Sequence, residues 1–309
     1  MDEGRNVDGY REMDTPTTST TSNRLSSKVS INQRHIDYDF ERETKSLFRI
    51  PMKDITIAEP LSHGSFGDVY LGFYNNDRVA IKRLSAHRRR HEKERTSFLL
   101  EAKLMATLRH DRIIQFIGVA WSDPTDVHVV TEFMDGGDLR TLLQSFDASG
   151  RPVGFDACKV QIALHVIEGL AYLHALQPAV LHRDLKSRNV LLSANKLDAK
   201  LIDFGVSRPR ADSTMTTCVG TLRWMAPEVM VGGRYGESAD VFSFGVVLSE
   251  LDTHQIPYHA EYHSTTKANL FTQKWKHFST SKRSIFAFGQ GIAEGSDGNV
   301  VEGEQDEER

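Results

Sequence analysis

From Asp54 onward, apolar and polar residues alternate in short runs, as they do in half-buried strands. Ile55, Ile57 and Leu61 begin one such strand, Asp68 to Phe73 forms a second and Arg78 to Leu84 a third. Asn75, Asn76 and Asp77 supply turn chemistry between the second and third. The period then changes. Phe98, Leu99, Ala102, Met105 and Leu108 recur at helical intervals, which predicts an amphipathic helix over Ser97 to Leu108. Apolar runs at Ile113 to Val119 and Val127 to Phe133 complete a small lobe of five strands and one helix, residues 54–132. Gly136 and Gly137 read as the exit of a hinge. Beyond them the long helical run through Val160 to Leu173 opens a larger, mainly helical lobe from residue 136.

Both ends of the chain read differently. Residues 1–50 are rich in Ser, Thr, Asn and charge, and the run from Thr15 to Ser22 buries too little apolar surface to offset its ordering entropy. They are expected to form a disordered leader. Residues 259–309 show no strong period and end on Glu302, Glu304, Asp306, Glu307 and Glu308, a like-charge block expected in a flexible, solvated tail. No internal repeat is found.

Composition adds exclusions. With 39% hydrophobic and 26% charged residues the chain falls in the ordinary globular range. A net charge of -4 gives no global electrostatic case for nucleic-acid or membrane binding. The two cysteines, Cys158 and Cys218, form neither a metal-type CxxC nor a disulfide scaffold, which suits a reducing compartment. No apolar stretch reaches the ~18 residues of a membrane span. The opening Met-Asp-Glu-Gly lacks the basic and apolar regions of a signal peptide. The expectation is a soluble, cytoplasmic protein of unknown oligomeric state.

Candidate chemistry starts between the first two strands. In Leu61-Ser62-His63-Gly64-Ser65-Phe66-Gly67-Asp68-Val69, glycines let backbone N–H groups approach phosphate oxygens, although a tight hairpin would need glycines too. Lys82 ends Val79-Ala80-Ile81-Lys82 on the third strand, and Glu101 stands nineteen residues on, in the predicted helix. Alone, either is an ordinary surface charge. Paired in a cleft, they would hold an ammonium against nucleotide phosphates. In His182-Arg183-Asp184-Leu185-Lys186-Ser187-Arg188-Asn189, Asp184 can accept a hydroxyl proton, Lys186 can neutralise charge on a transferring phosphoryl group, and Asn189 can offer an oxygen to magnesium. Apolar runs flank this loop and would hold it rigidly. Asp203, ahead of Phe204-Gly205, supplies a second oxygen ligand. The segment Val219-Gly220-Thr221-Leu222-Arg223-Trp224-Met225-Ala226-Pro227-Glu228 follows.

In this order and spacing the six motifs resemble the protein kinase signature, and the last segment is most similar to the tyrosine-kinase-like group of Ser/Thr kinases. The resemblance covers residues 54–258 and implies an α+β, bilobal kinase fold, with a small β-rich lobe carrying one helix and a larger helical lobe. It implies ATP and Mg as cofactors and a protein substrate phosphorylated on Ser or Thr. By position, Asp184 resembles the catalytic base, Asn189 and Asp203 the metal ligands, and Lys82 the phosphate-gripping lysine, with Glu101 its partner. Residues 61–69 resemble the phosphate-covering loop. Leu61, Val69, Ala80 and Leu191 would sandwich adenine. Thr131 resembles the gatekeeper, Glu132 to Met134 the hinge, and Asp240 the buried aspartate that steadies the catalytic loop. Lys186 and Thr221 favour Ser/Thr over Tyr, the Thr221 hydroxyl bridging Asp184 and Lys186. Ser213, Thr214, Thr216 and Thr217 are candidate phosphosites that Arg183 could receive. The basic run His87 to His91 reads as a solvated loop rather than a nuclear signal.

The pattern breaks at Tyr258. From His259 the further helices of the kinase lobe find no match, so the large lobe is expected to be incomplete. Arg283 lacks the surroundings of the arginine that would pair with Glu228, which is expected to stay an unpaired, partly buried carboxylate. Two alternatives accompany an active kinase: a catalytically weak or non-catalytic kinase-fold scaffold, and a truncated chain unstable alone. The scaffold's usual mark, loss of residues equivalent to Lys82, Asp184 or Asp203, is absent.

Overall fold

The computed structural model describes residues 44, 47–64, 67–195, 198–204, 208–209, 222–230 and 236–258. The chain divides into two compact units, Met1–Lys45 and Ser46–Arg309, and the fold below is that of the second. Ser65, Phe66, Gly205, the four candidate phosphosites, Thr221 and the tail from His259 lie outside the described residues.

Five strands form an antiparallel sheet: β1 (Ile55–His63), β2 (Asp68–Tyr74), β3 (Asp77–Arg83), β4 (Phe116–Ala120) and β5 (His128–Glu132), in the order β1-β2-β3-β5-β4. Asn75 and Asn76 turn the β2–β3 hairpin with φ of 51° and 69°, the left-handed conformation that two-residue hairpins require and asparagine tolerates. Alternation then sorts the side chains. Val79, Ile81 and Val130 join Ile50, Ile55 and Ala120 in a buried cluster on one face. Ala80 and Lys82 take the other face, with their register partners Leu71 and Val69 on β2 and Thr131 and Val129 on β5. Against this sheet lies α1 (Glu92–Thr107), which buries Phe98, Leu99, Ala102 and Met105. It starts five residues before the predicted Ser97. Its first turns are polar, with Glu92 and Glu94 at the positive helix end, so no apolar period announces them.

The predicted leader boundary at residue 50 falls too late. Ile50 is fully buried, its N–H donates to the Val119 carbonyl at 2.8 Å, and the Val119 N–H donates to Phe48 at 2.9 Å. Residues 47–50 thus run along the β4 edge, with the Arg49 guanidinium 4.1 Å from the Trp121 ring centre. Leu47, Phe48 and Ile50 make too short an apolar run to show this in the sequence.

The large lobe carries α2 (Leu139–Ala148) and α3 (Ala157–Ala175). Asp138 and Asp156 cap their starts, accepting from the N–H groups of Thr141 and Lys159, each at 3.0 Å. Then come β6 (Val180–Leu181), β7 (Val190–Leu192), β8 (Ala199–Leu201), β9 (Arg208–Pro209), the short α4 (Pro227–Met230) and α5 (Glu237–Thr253). β7 pairs with β8, β6 pairs with β9, and α3 packs on α5. Among the described residues no helix is long and apolar enough to cross a membrane.

The two lobes meet along β7 and β8. The Gly136 N–H donates to Leu192 at 2.8 Å, and the Leu192 N–H returns a bond to Gly137 at 2.9 Å. Behind the hinge, the Ile114 N–H donates to Leu201 at 3.0 Å and the Leu201 N–H to Arg112 at 2.8 Å. Strands of the large lobe therefore grip both the hinge and the segment ahead of β4.

Candidate active site

Three elements bring the predicted charges together. Lys82 on β3 places its Nζ 2.6 Å from Glu101 Oε1 on α1 and 3.0 Å from Asp203 Oδ1, two residues past β8. Burial alone would lower the pKa of this ammonium, but the Asp203 and Glu101 carboxylates outweigh it and hold the proton on. Burial pushes the Glu101 carboxyl up against the pull of Lys82. Asp203, although partly buried, is held below the usual carboxylate range by Lys82. The backbone of Asp203 is left-handed, φ 67°, at a cost of roughly 1–2 kcal/mol. Beside it, Phe204 is buried 5.4 Å from the His182 ring.

The catalytic-loop residues are fixed from below. Asp240, nearly fully buried on α5, accepts the backbone N–H groups of His182 and Arg183, both at 2.8 Å, and faces His174 Nε2 at 2.8 Å. These bonds hold Arg183 at φ 66°, the loop's one left-handed residue. Asp184, 6% exposed, receives the Lys186 ammonium at 2.6 Å and the Asn189 amide at 3.0 Å on Oδ2. The Asn189 amide also donates to the Asp184 carbonyl at 2.8 Å. That commits the nitrogen and leaves the Asn189 side-chain oxygen as an acceptor. The Ile202 N–H donates to the Asn189 carbonyl at 3.0 Å, which places Asn189 beside the strand that delivers Asp203.

The donor chemistry fits a divalent cation. Asp184 Oδ1 is buried without a hydrogen-bond partner among the described residues. An orphaned, desolvated carboxylate oxygen near an amide oxygen and a second carboxylate is a set that hard cations favour. Asn189 and Asp203 would hold such an ion.

The remaining predicted residues that are described differ in exposure. Val69, Ala80, Thr131, Met134 and Leu191 are half-buried, while Leu61, Ser62, His63 and Gly64 are exposed at the end of β1. Gly64 and Gly67 close the hairpin on each other, at 2.9 and 3.3 Å, and His63 Nδ1 lies 2.9 Å from Asp68 Oδ1. A Cβ on Gly67 would stand 2.2 Å from the Arg83 carbonyl, so this glycine is required for close approach. Glu132 turns its carboxylate away, to the Gln115 N–H at 2.7 Å and to Lys200 on β8 at 2.7 and 2.9 Å. Any part it plays in holding a nucleotide therefore falls to its backbone. Glu228 is half-buried, with no hydrogen bond or ion pair found among the described residues.

Sequence reasoning missed Glu250. It is 1% exposed on α5 and collects Ser187, Trp224 and Arg140. Its signal was present: a lone carboxylate in the apolar run Val246-Val247-Leu248-Ser249-Glu250-Leu251 is seldom a surface residue.

A protein kinase domain model matches residues 55–294, continuing past Tyr258, where the motif pattern had stopped. Serine/threonine-protein kinase STY46 of Arabidopsis thaliana is 39% identical over 214 residues, 69% of this chain and 36% of that protein. The probable serine/threonine-protein kinase drkB of Dictyostelium discoideum is 39% identical over 210 residues, 68% of this chain and 29% of its own length. Serine/threonine-protein kinase TNNI3K of Mus musculus is 38% identical over 220 residues, 70% of this chain and 26% of its own. The chain spans only about a third of the length of these relatives.

Proposed function

The chain belongs to the protein kinase domain family, and we propose that it transfers the γ-phosphoryl group of ATP, with magnesium, to Ser or Thr hydroxyls of a protein substrate in intracellular signalling. The observation that carries the reading is the meeting of Lys82 with Glu101 and Asp203, together with an Asp184 oxygen that has no hydrogen-bond partner among the described residues. In this reading Lys82, oriented by two carboxylates, grips the α- and β-phosphate oxygens, and the backbone at Gly64 and Gly67 covers the phosphates. Magnesium, when bound, would neutralise the charge spread over the phosphate oxygens. Asn189 and Asp203 are its expected ligands. Asp184 orients the acceptor hydroxyl and takes its proton at a carboxylate oxygen, while Lys186 stays close enough to screen the transferring group. Thr221 would bridge the two. Val69, Ala80 and Leu191 enclose the adenine, and the low cysteine content accords with a cytoplasmic setting.

Incubating the 309-residue chain with Mg-ATP and a Ser/Thr-rich protein should give phosphoserine or phosphothreonine, and EDTA should abolish the product. Product insensitive to EDTA, or confined to phosphotyrosine, would contradict the reading.

A further inference from the structure

Beside the start of α1, a histidine and three charged groups meet without fully satisfying one another. His128 opens β5 and is 4% exposed, yet neither ring nitrogen has a hydrogen-bond partner among the described residues. Arg83 faces it from β3 as its register partner. The Arg83 Nη2 donates to the Tyr70 hydroxyl at 2.8 Å, while its buried Nε has no described partner. The backbone of Ala120 on β4 and of Asp126 also faces the ring. Asp126, in the loop between β4 and β5, is divided. Its Oδ2 holds the Arg89 guanidinium at 2.5 Å, and its Oδ1 is buried without a hydrogen-bond partner, 3.9 Å from His128 Nε2. Arg89 lies in the short turn Arg88–Arg90, and its carbonyl accepts Arg95 Nη1 of α1 at 2.8 Å. One carboxylate therefore stands between a buried histidine and the turn that leads into the helix carrying Glu101.

We propose that Asp126 is a positioning residue for α1 and that His128 competes for it: a neutral imidazole leaves the carboxylate to Arg89, and a protonated one draws it away, so the start of α1 loosens on acidification. This rests on the kinase reading only in giving Glu101 its role. The Thr125 N–H donates to the Asp123 carboxylate at 2.7 Å and the Asp126 N–H to the Asp123 carbonyl at 2.8 Å, which fixes the loop backbone. Closing 3.9 Å to bonding distance therefore falls to rotation of the Asp126 side chain, and that rotation carries Oδ2 off Arg89. While Asp126 stays with Arg89, burial holds the His128 pKa below the ordinary histidine range, and Arg83 adds repulsion. The rotated arrangement binds the proton more tightly and gains population as pH falls.

Titration of the histidine ring signals of the full chain by NMR tests this, with His128→Gln identifying the His128 signal. Competition for one carboxylate requires that Arg89→Gln, which frees Asp126, raise the proton affinity of His128 about tenfold, and that Asp126→Asn lower it. An affinity unchanged by Arg89→Gln would overturn the proposal. Hydrogen exchange reports on the turn through the Arg90 and His91 N–H groups, bonded to His87 and Arg88 at 3.3 and 3.0 Å. Corrected for the intrinsic rate, their exchange should quicken up to about tenfold per pH unit below about pH 6.5, and should stay flat in His128→Gln. The Leu142 and Val160 N–H groups, bonded to Asp138 and Asp156 at the starts of α2 and α3, should not follow. Equal acceleration there, or in His128→Gln, would mean general loosening by acid and contradict the proposal. In phosphate transfer, wild type and His128→Gln should share one KM for ATP at pH 7.5, and that of wild type should be about threefold higher at pH 5.5. A ratio constant with pH would contradict the link to Glu101. A wild-type chain without Mg-ATP-dependent transfer would sink the kinase reading, while the ring titration would still decide the role of Asp126.

Discussion

At the residue scale the site is a balance of burial against charge. Lys82 keeps its proton although buried, because two carboxylates face it, and Asp203 keeps its charge because Lys82 does. Histidines elsewhere lose that contest. His128, His165 and His254 are nearly fully buried, and burial lowers the pKa of each. The unfolded chain then binds more protons than the folded one below about pH 6.5, so these residues withdraw stability as pH falls from there toward their folded values. Glu101 and Glu250, raised by burial, act in the opposite sense, so the histidine contribution must be isolated by substitution. His128→Leu should gain on wild type by up to about 1.4 kcal/mol per unit between pH 6.5 and 5.5 in denaturant titrations. Parallel pH profiles for the two proteins would refute the assignment. Lys82, Asp184, Asn189 and Asp203 were legible because they fall in ordered motifs. Arg140, Ser187 and Glu250 were not, since their meaning lies in contacts spanning 63 to 110 residues.

Elements decide where those residues stand, and the tightest constraint is at the hinge. Gly136 and Gly137 look alike in sequence but differ in kind. A Cβ on Gly136 would lie 2.1 Å from the Ser193 carbonyl and 2.4 Å from that of Leu192. Gly137 has φ 75° and open space around its missing Cβ. Gly136→Ala should push the hinge off β7, away from Leu191, and weaken ATP binding about tenfold, or ~1.4 kcal/mol. Gly137→Ala should cost ~1 kcal/mol of stability through backbone strain while leaving affinity nearly unchanged. Equal ATP affinity in both variants, measured by calorimetry, would count against the hinge packing. The strands of the small lobe were readable because their apolar positions alternate. The polar start of α1 hid its first turns, and α5, buried almost all round, offers no amphipathic stripe to read. The two-residue strands β6 and β9 are too short to show a period at all.

At the scale of the whole molecule, the small lobe contributes Lys82 and Glu101, and the large lobe contributes Asp184, Asn189 and Asp203. The Lys82–Asp203 contact at 3.0 Å crosses between them, so the lobes present one site. The family match through residue 294 extends beyond the motifs, which end at Glu228 and the helix that carries Asp240. Motifs stop where chemistry stops, whereas a supporting helix needs only apolar spacing, which many sequences satisfy. The most direct test of the proposed chemistry compares wild type with Asp184→Asn, an isosteric change that removes the proton acceptor but leaves the nucleotide cleft intact. Mg-ATP should raise the melting temperature of both proteins equally, while phosphate transfer to a Ser/Thr protein should fall at least a hundredfold in the variant. Equal transfer by the two proteins would contradict the mechanism.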